Sequence, residues 1–436
     1  MMIHQFKKAV HYSVLLGMMV FSHVSVSQTF IDSSFVGKRI VSIQIIGNDR
    51  TQSHIIFREM KQKEGDRLDF NMIESDRKRI QNLDLFNRVV IQAQPDGDQV
   101  QLNIIVTEQW YVFPYPILFI HDRDWSKFSY GAGIVHLNFR GRRETLNLGF
   151  WLGYNPSVQF SYANPWIGGK HHLITQIRFY HNRIRSKHFK EAIDEKHLGM
   201  EWTLGKRFGY HTVLGVTFGY REVVFSPPEM VQTLSPSGKD RLPSLDLFYT
   251  WDRRDLQEYP HEGWLVSLFA RQTGFSRLTA HYLRTGFELR QYFPLTSTWT
   301  LAMRLKANLS GGEIPLYDHV YLGYSERIRG YFFDVFEGEN RALVSMAFRL
   351  PLVPIRYFDL SDHVYFQNLK FGAGLGFFID SGLTWSQGEM INHSMFKSGY
   401  GVGLHLHLPY IHLLRLEWAI NDQGRSQFIF DLYVDI

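Results

Sequence analysis

The chain has 436 residues, 47 of them basic and 42 acidic, for a formal net charge of +5; hydrophobic residues make up 44% and aromatic ones 15%, and cysteine is absent. Without cysteine there is no disulfide, no thiolate metal ligand and no thiol nucleophile. Acidic and basic residues balance between Gly37 and Gln109, so no basic face for a nucleic acid is expected.

The first predicted element is a leader. Lys7 and Lys8 precede an apolar run from Val10 to Phe21, and the small residues Ser25 and Ser27 follow, the pattern of a Sec signal peptide over residues 1–27. The run falls short of the about 20 residues that a membrane-crossing helix needs. No cysteine follows it, which excludes a lipoprotein. No later stretch is apolar for long enough to cross a bilayer as a helix, so the exported chain is expected to be either soluble or a barrel.

Over residues 37–109 the pattern is mixed. Ile40 to Ile46 reads as a strand, Gly47-Asn48 as a turn, and a helix is expected from near Thr51. A second helix follows Asp69, its candidate N-cap, and runs to about Leu83 with Met72, Ile73 and Ile80 on its apolar side. Strands over Arg88–Gln94 and Val100–Val106 flank a Pro95-Asp96-Gly97 turn. The predicted order is β-α-α-β-β in about 70 residues, near the lower end of domain size.

Over residues 110–436 the helical period gives way to alternation. From Trp299 to Leu309 the odd positions are apolar and the even ones mostly polar. Leu146, Leu148, Phe150 and Leu152 alternate with Asn147, Gly149, Trp151 and Gly153, as Leu414, Leu416, Trp418 and Ile420 do with Arg415, Glu417 and Asn421. These segments suit the about 9 to 11 residues of a tilted membrane strand. A soluble sandwich has the same period, but its core would have to desolvate Arg304, Lys306, Arg415 and Glu417 at high cost. Tyr and Trp near strand ends fit an interfacial girdle. The alternation also persists through Phe428, Phe430, Leu432, Val434 and Ile436, with Asp431 and Asp435 facing the other way. A barrel with a wet lumen and a lipid-facing outside satisfies all three observations.

Two of these segments are rich in glycine. Lys370 to Leu383 puts Gly372, Gly374, Gly376, Phe378 and Asp380 on one face, and the next segment does the same with Gly399, Gly401, Gly403, His405 and His407. The glycines make a lumen floor that another backbone can approach closely, or they relax strand curvature. His405 and His407 share a face, but no third ligand accompanies them and no metal is expected. Gly323 to Arg327 lacks the second glycine of a nucleophile elbow, and there is no phosphate loop or H-E-x-x-H. A lipase triad would need polar groups on the lipid face, where alternation puts apolar ones. Neither enzymatic activity nor a cofactor is expected.

Several separated motifs occur in a fixed order: Asn138 to Glu144; Tyr162-Ala163-Asn164-Pro165-Trp166; Asp252-Arg253-Arg254-Asp255 with Tyr259-Pro260 and Gly263-Trp264; Ile328-Arg329-Gly330-Tyr331; and Phe378-Ile379-Asp380-Ser381-Gly382. In turn they resemble the first hairpin, the third strand, the mid-barrel stretch, the signature of the long inward loop and the strand that this loop contacts in the BamA/TamA superfamily of outer-membrane assembly proteins. The region 37–109, with Leu83-Asp84-Leu85-Phe86-Asn87 closing its second helix, is similar to a POTRA domain. The resemblance implies a mainly β fold: a 16-stranded antiparallel transmembrane β-barrel in the bacterial outer membrane, preceded by one small α+β POTRA domain in the periplasm. The roughly 327 residues after Gln109 supply about 20 per strand with its turn, a length that also allows 14 or 18 strands.

What the resemblance implies for function is an insertase. Its POTRA domain would receive unfolded outer-membrane or exported client proteins by β-augmentation, and its barrel would insert or translocate them. Its other partners would be outer-membrane lipid and periplasmic chaperones or accessory lipoproteins. A dedicated secretion pore for one partner protein and a passive outer-membrane barrel are the alternatives. The expected site sets Ile328, Arg329, Gly330 and Tyr331 against Phe378, Asp380 and Gly382, with Arg329 paired to Asp380 over the glycine floor. Ala347 stands where relatives often carry an acid, so Arg329 is expected to depend unusually on Asp380. There is also one POTRA domain where relatives have two or more. Asp431 and Asp435 are expected to soften pairing at a seam between the first and last strands.

Overall fold

The computed structural model describes residues 29–432 apart from 122–124, 187–192, 227–232, 236–237, 277–279, 324–325, 333 and 412. The leader expected over residues 1–27, and the positions Val434, Asp435 and Ile436, lie outside the described residues.

The N-terminal domain begins with a two-residue strand, β1 (Thr29–Phe30), that the sequence did not suggest. It continues through β2 (Ile40–Ile46), α1 (Ser53–Phe57), α2 (Phe70–Gln81), β3 (Phe86–Asp96) and β4 (Gln99–Glu108). The sheet order is β1-β3-β4-β2. α2 starts where the Asp69 carboxylate accepts the Met72 N–H at 2.9 Å, satisfying a donor that the first turn leaves orphaned. Ile73 and Ile80 point into a core with Ile40, Ile55, Ile56, Ile91, Leu102 and Ile104. Met72, expected on that side, is exposed instead; one residue is about 100° of helix rotation, enough to carry it off the buried stripe.

The remaining strands form one sheet of 16. They are β5 (Val112–Ile120), β6 (Phe128–Phe139), β7 (Glu144–Gly153), β8 (Ser157–Ile167), β9 (Leu173–Arg185), β10 (Asp194–Phe208), β11 (Thr212–Ser226), β12 (Lys239–Asp252), β13 (Gly263–Thr273), β14 (Tyr282–Pro294) and β15 (Thr300–Gly312), then β18 (Asn340–Phe358), β19 (Leu369–Trp385), β20 (Lys397–His407), β21 (Leu414–Asn421) and β22 (Ser426–Asp431). β16 (Val320–Leu322) and β17 (Phe336–Gly338) pair only with each other, so β15 lies directly beside β18. Every neighbouring pair in the large sheet is antiparallel, and among the described residues no ladder joins β5 to β22. No helix among the described residues is long and apolar enough to cross a membrane.

Alternation decides which side chains go where. Leu148, Phe150, Leu152, Trp418, Phe428 and Phe430 stand exposed on the outer face, while Arg304, Asn308, Arg415 and Glu417 are buried on the inner one. The inner charges are paired rather than packed in hydrocarbon: Glu288 meets Arg304 at 2.9 Å and Lys306 at 3.1 Å. The sheet starts one strand earlier than the motifs suggest, so Tyr162–Trp166 lies in the fourth strand, β8, and Asn138–Glu144 forms the β6–β7 turn. The extra strand is β5, whose Pro114 and Pro116 argue against a strand when only the sequence is read.

The N-terminal domain packs on the turns at one end of the barrel. Gln52 N–H donates to the Gly141 carbonyl at 3.0 Å, Arg143 Nε to the Leu83 carbonyl at 2.9 Å, and Asn82 Nδ2 to the Asp255 carbonyl at 2.9 Å. Asn87 Nδ2 reaches the Gln367 carbonyl at 3.0 Å, and the Tyr210 hydroxyl donates to the Met60 carbonyl at 2.9 Å. Arg207 grips the buried Glu59 through two 2.7 Å bonds. Burial pushes the Glu59 carboxyl up, but the Arg207 hydrogen bonds and charge, with Arg143 and Arg58 nearby, hold it below the usual carboxylate range. Between the domain and the turns lies a cleft of about 850 Å³, lined by Glu59, Lys78, Arg79, Arg207, Asp252 and Arg254 among others.

Candidate functional site

The chain between β15 and β18 does not leave the barrel but crosses its interior. It is tied first to one wall, where Asp318 binds the Arg221 guanidinium and the Tyr282 hydroxyl, and the Tyr317 hydroxyl donates to Asp240 at 2.7 Å. It then forms the β16–β17 hairpin. Ile328 and Tyr331 pack with Leu322 and Leu343 in a small apolar cluster. Gly382 lies under it: a Cβ there would sit 3.1 Å from Leu322 Cδ1 and 3.2 Å from Ile328 Cδ1.

Arg329 reaches the opposite wall. Its Nε donates to Asp380 Oδ2 and its Nη2 to Oδ1, both at 2.7 Å, and its backbone N–H donates to Oδ2 at 2.9 Å. Nη1 donates to Glu417 Oε1 at 3.1 Å, and the guanidinium lies 3.8 Å from the centre of the Phe378 ring. All of these groups are buried. Three of the five guanidinium N–H donors are thus engaged by two carboxylates, and the aromatic ring covers the face of the fork. Gly330 takes φ +99°, a left-handed value that favours glycine, and so turns the chain toward Tyr331, whose hydroxyl donates to Asp422.

Glu417 was missed by sequence reasoning. Ala347, at the position where relatives often carry an acid, is buried among Tyr292, Ala302 and Phe378, and the second carboxylate comes from β21 instead. Arg329 therefore does not depend on Asp380 alone. The expectation for Asp431 also changes. Its carboxylate binds Arg415 at 2.8 Å and Arg327 of the loop, so it ties β22 to β21 and to the loop rather than loosening the last strand. Phe332 N–H adds a 2.7 Å bond to Gln427, and Glu326 holds Arg304 and Lys306 of β15 at 3.0 and 2.5 Å.

The glycine floor is divided among several neighbours. A Cβ on Gly399 would collide with the Arg329 carbonyl oxygen, so the loop backbone does rest there. The other five glycines meet different groups. Gly401 accommodates the Phe378 ring and the Trp418 carbonyl, Gly403 the Glu417 side chain, and Gly376 the His405 ring. Gly372 faces Ile355 and His407, and Gly374 the Leu350 carbonyl. The Tyr259 hydroxyl and His405 Nδ1 lie 2.8 Å apart, Tyr259 stands edge-on to His407, and Arg349 covers the Tyr259 ring at 4.4 Å. The turn between β12 and β13 thus fills the part of this wall that the long loop does not reach. Among the described residues no group of three His, Cys, Asp or Glu side chains is placed to hold a metal ion.

With this geometry established, comparison with known proteins gives two family matches. Residues 138–432 match the Omp85 superfamily domain, and residues 38–109 match POTRA, the surface antigen variable number repeat. The fold is similar to that of BamA from Haemophilus ducreyi lacking POTRA domains 1–3, at 16% identity and a TM-score of 0.52, over 94% of this chain and 88% of that one. It is also similar to CdiB from Acinetobacter baumannii, at 13% identity and 0.51, over 91% and 73%. CdiB from Escherichia coli aligns at 11% and 0.55, over 92% and 75%.

Proposed function

The chain belongs to the Omp85 superfamily, and we propose that it is an outer-membrane assembly factor that takes up client polypeptides at its periplasmic POTRA domain and inserts or translocates them at its barrel. Members of the superfamily insert and translocate proteins without enzymatic chemistry, and their barrels lie in the bacterial outer membrane with POTRA domains in the periplasm. The observation that carries the reading is the lock on the long loop. Arg329, Arg327 and Phe332 bind the loop to β19, β21 and β22, so the last strands move as one body with it. Parting the sheet elsewhere breaks a continuous ladder; parting it between β22 and β5 breaks none among the described residues. The seam is therefore the place where this barrel opens at least cost.

The POTRA sheet offers limited room for a client strand. β1 lies along β3, and Gly65 N–H donates to Ile40 while Ile43 N–H donates to Glu64, so the first half of β2 is capped. A client strand adds beyond Ile43 or displaces β1. Depletion of the protein tests the function: broad loss of outer-membrane barrels supports the assembly role. Loss of a single exported protein would replace it with a dedicated pore, and an unchanged envelope with a passive barrel.

A further inference from the structure

The outer face of the barrel is apolar over most of its area, but one corner of it is basic. The register sets Arg183 of β9 opposite Lys196 of β10, Lys196 opposite Val224 of β11, and Val224 opposite Lys239 of β12. Residues directly opposite in an antiparallel ladder share a face, so these four form one row across four strands. Arg185 and Arg241 stand two residues along β9 and β12 and share that face. It is the outer face, because Ile193, Val223, Phe225 and Leu242, which alternate with these positions, close into an apolar cluster inside. The β10–β11 and β12–β13 turns meet the POTRA domain through Tyr210 and Asp255, so the basic corner lies at the opposite end, away from the periplasm.

Five cations here meet two carboxylates. Asp194 accepts from Arg183 Nε at 2.8 Å, and Glu222 meets Lys239 at 2.7 Å. Arg185 lies over the Tyr154 ring at 4.9 Å, and among the described residues Lys196 and Arg241 form no ion pair although both are exposed. Rim charges of this kind cost little where lipid gives way to water, so the corner could be ordinary rim if the rest of the rim matched it. It does not. The outward positions nearest the same end of β13, β14, β15, β20 and β21 are Gln272, Leu283, Gly311, Ser398 and Ile420, all uncharged. Beside Arg241 in its row stands exposed Leu198, and about 7 Å deeper the same strands carry Phe179, Met200, Tyr220 and Pro243.

We propose that this corner binds an amphiphile whose headgroup carries two phosphates on a rigid spacer of disaccharide size, with the phosphates on the cations and the acyl chains over Leu198, Met200 and Phe179. The cations fall into two lobes: Arg183, Arg185 and Lys196 on β9 and β10, and Lys239 and Arg241 on β12. Uncharged Val224 of β11 separates them, and two strand spacings put the lobes about 10 Å apart. A lipid with a single phosphate fills one lobe and leaves the other uncompensated. Guanidinium groups suit phosphate because their fork donates two parallel bonds to it, and the long stems of Lys196 and Arg241 lie along apolar surface while their heads reach the polar layer. The proposal requires the POTRA domain to be periplasmic and the barrel to span the outer membrane; it is independent of how client polypeptides are handled.

The test uses the full-length protein in detergent with EDTA, so that no divalent cation bridges phosphate to Asp194 or Glu222. Fluorescent bisphosphorylated lipid A is the probe, its anisotropy is the readout, and unlabelled lipid A with its phosphates removed, or cardiolipin, is the competitor. The bisphosphorylated form should bind on the order of tenfold more tightly than the dephosphorylated one, the scale on which charge-assisted hydrogen bonds discriminate. Lys196→Ala combined with Arg241→Ala should abolish that margin, while faster migration unheated than boiled shows the barrel intact. Lys206→Ala removes an exposed lysine from the same face at the other end of β10 and should leave the margin unchanged. No preference for the phosphorylated form, a margin that survives the double substitution, or an equal loss in Lys206→Ala would each overturn the proposal. Cardiolipin competing as well as the bisphosphorylated lipid would also overturn it, because the spacing of the two lobes would then go unread.

Discussion

At the residue scale, Arg329 joins the loop to two strands of the wall that are not neighbours, and its environment sets the ranking of damage. Removing it strips buried Asp380 of the guanidinium that holds both its oxygens and leaves Glu417 with the longer Arg415 pair at 3.7 Å, and breaking such a buried pair typically costs about 3 to 5 kcal/mol. Asp380→Ala leaves the guanidinium with Glu417 and the Phe378 ring, so it should be milder than Arg329→Ala, and the double variant should fall well short of the sum. The temperature at which the folded form disappears on gels would rank the three; Asp380→Ala as damaging as Arg329→Ala would show that Glu417 contributes nothing. The pairing with Asp380 was legible because each partner sits in its own recognisable motif. Glu417 was not, because a single inward carboxylate in an alternating strand looks like any other lumen polar residue, such as Asn421. Only the register, which sets Glu417 opposite Gly403 one strand beyond β19's partner, brings it beneath the loop.

At the scale of elements, close approach explains which glycines matter. Gly399→Ala drives a methyl into the Arg329 carbonyl, a backbone atom that cannot rotate away, so the loop should lift and become accessible to protease. Gly372→Ala meets Ile355 of β18, with Cγ1 at 3.0 Å and Cα at 3.2 Å, and no loop atom, so it should strain the β18–β19 pairing without exposing the loop in the same assay. Equal sensitivity of the two variants would mean that the glycines serve strand curvature rather than loop seating. Alternation and glycine content gave the two facing strands from sequence, but not the division of the floor, since His405, Phe378 and Tyr259 compete for it through contacts that no local pattern records. The N-terminal helices and strands were legible through Asp69 and the Pro95-Asp96-Gly97 turn; β1 is too short to have a period, and the prolines of β5 conceal it. A fragment from Ser33 to Glu108 keeps most of the Ile40, Ile73 and Ile104 core but loses Tyr111, which packs against it. It should fold cooperatively by circular dichroism with reduced stability, and a fragment without cooperative unfolding would count against an independent domain.

At the scale of the whole molecule, the POTRA domain touches the β6–β7, β10–β11, β12–β13 and β18–β19 turns, and Glu59 is the charged group that it buries most deeply against them. The docked Glu59 carboxyl titrates below its usual 4.5, so docking gains from its ionised form above that value and loses the gain as pH falls through the lower, docked one. Docking should therefore be level from neutral pH down to about 5 and weaken only in stronger acid. In Arg207→Ala the largest influence that lowers this carboxyl is gone while the burial that raises it remains, so docking weakens already at neutral pH and its further loss in acid shrinks or reverses. The effect is readable as a distance distribution between spin labels at Asp98→Cys and Lys170→Cys, both exposed and in an otherwise cysteine-free chain. The parent should give one distance at pH 7 and at pH 5 that broadens below 4.5, and Arg207→Ala should be broad already at pH 7 with little further broadening in acid. A distribution indifferent to both acid and Arg207→Ala would mean that the backbone contacts of Met60, Leu83 and Gly141 hold the domain without help from this ion pair.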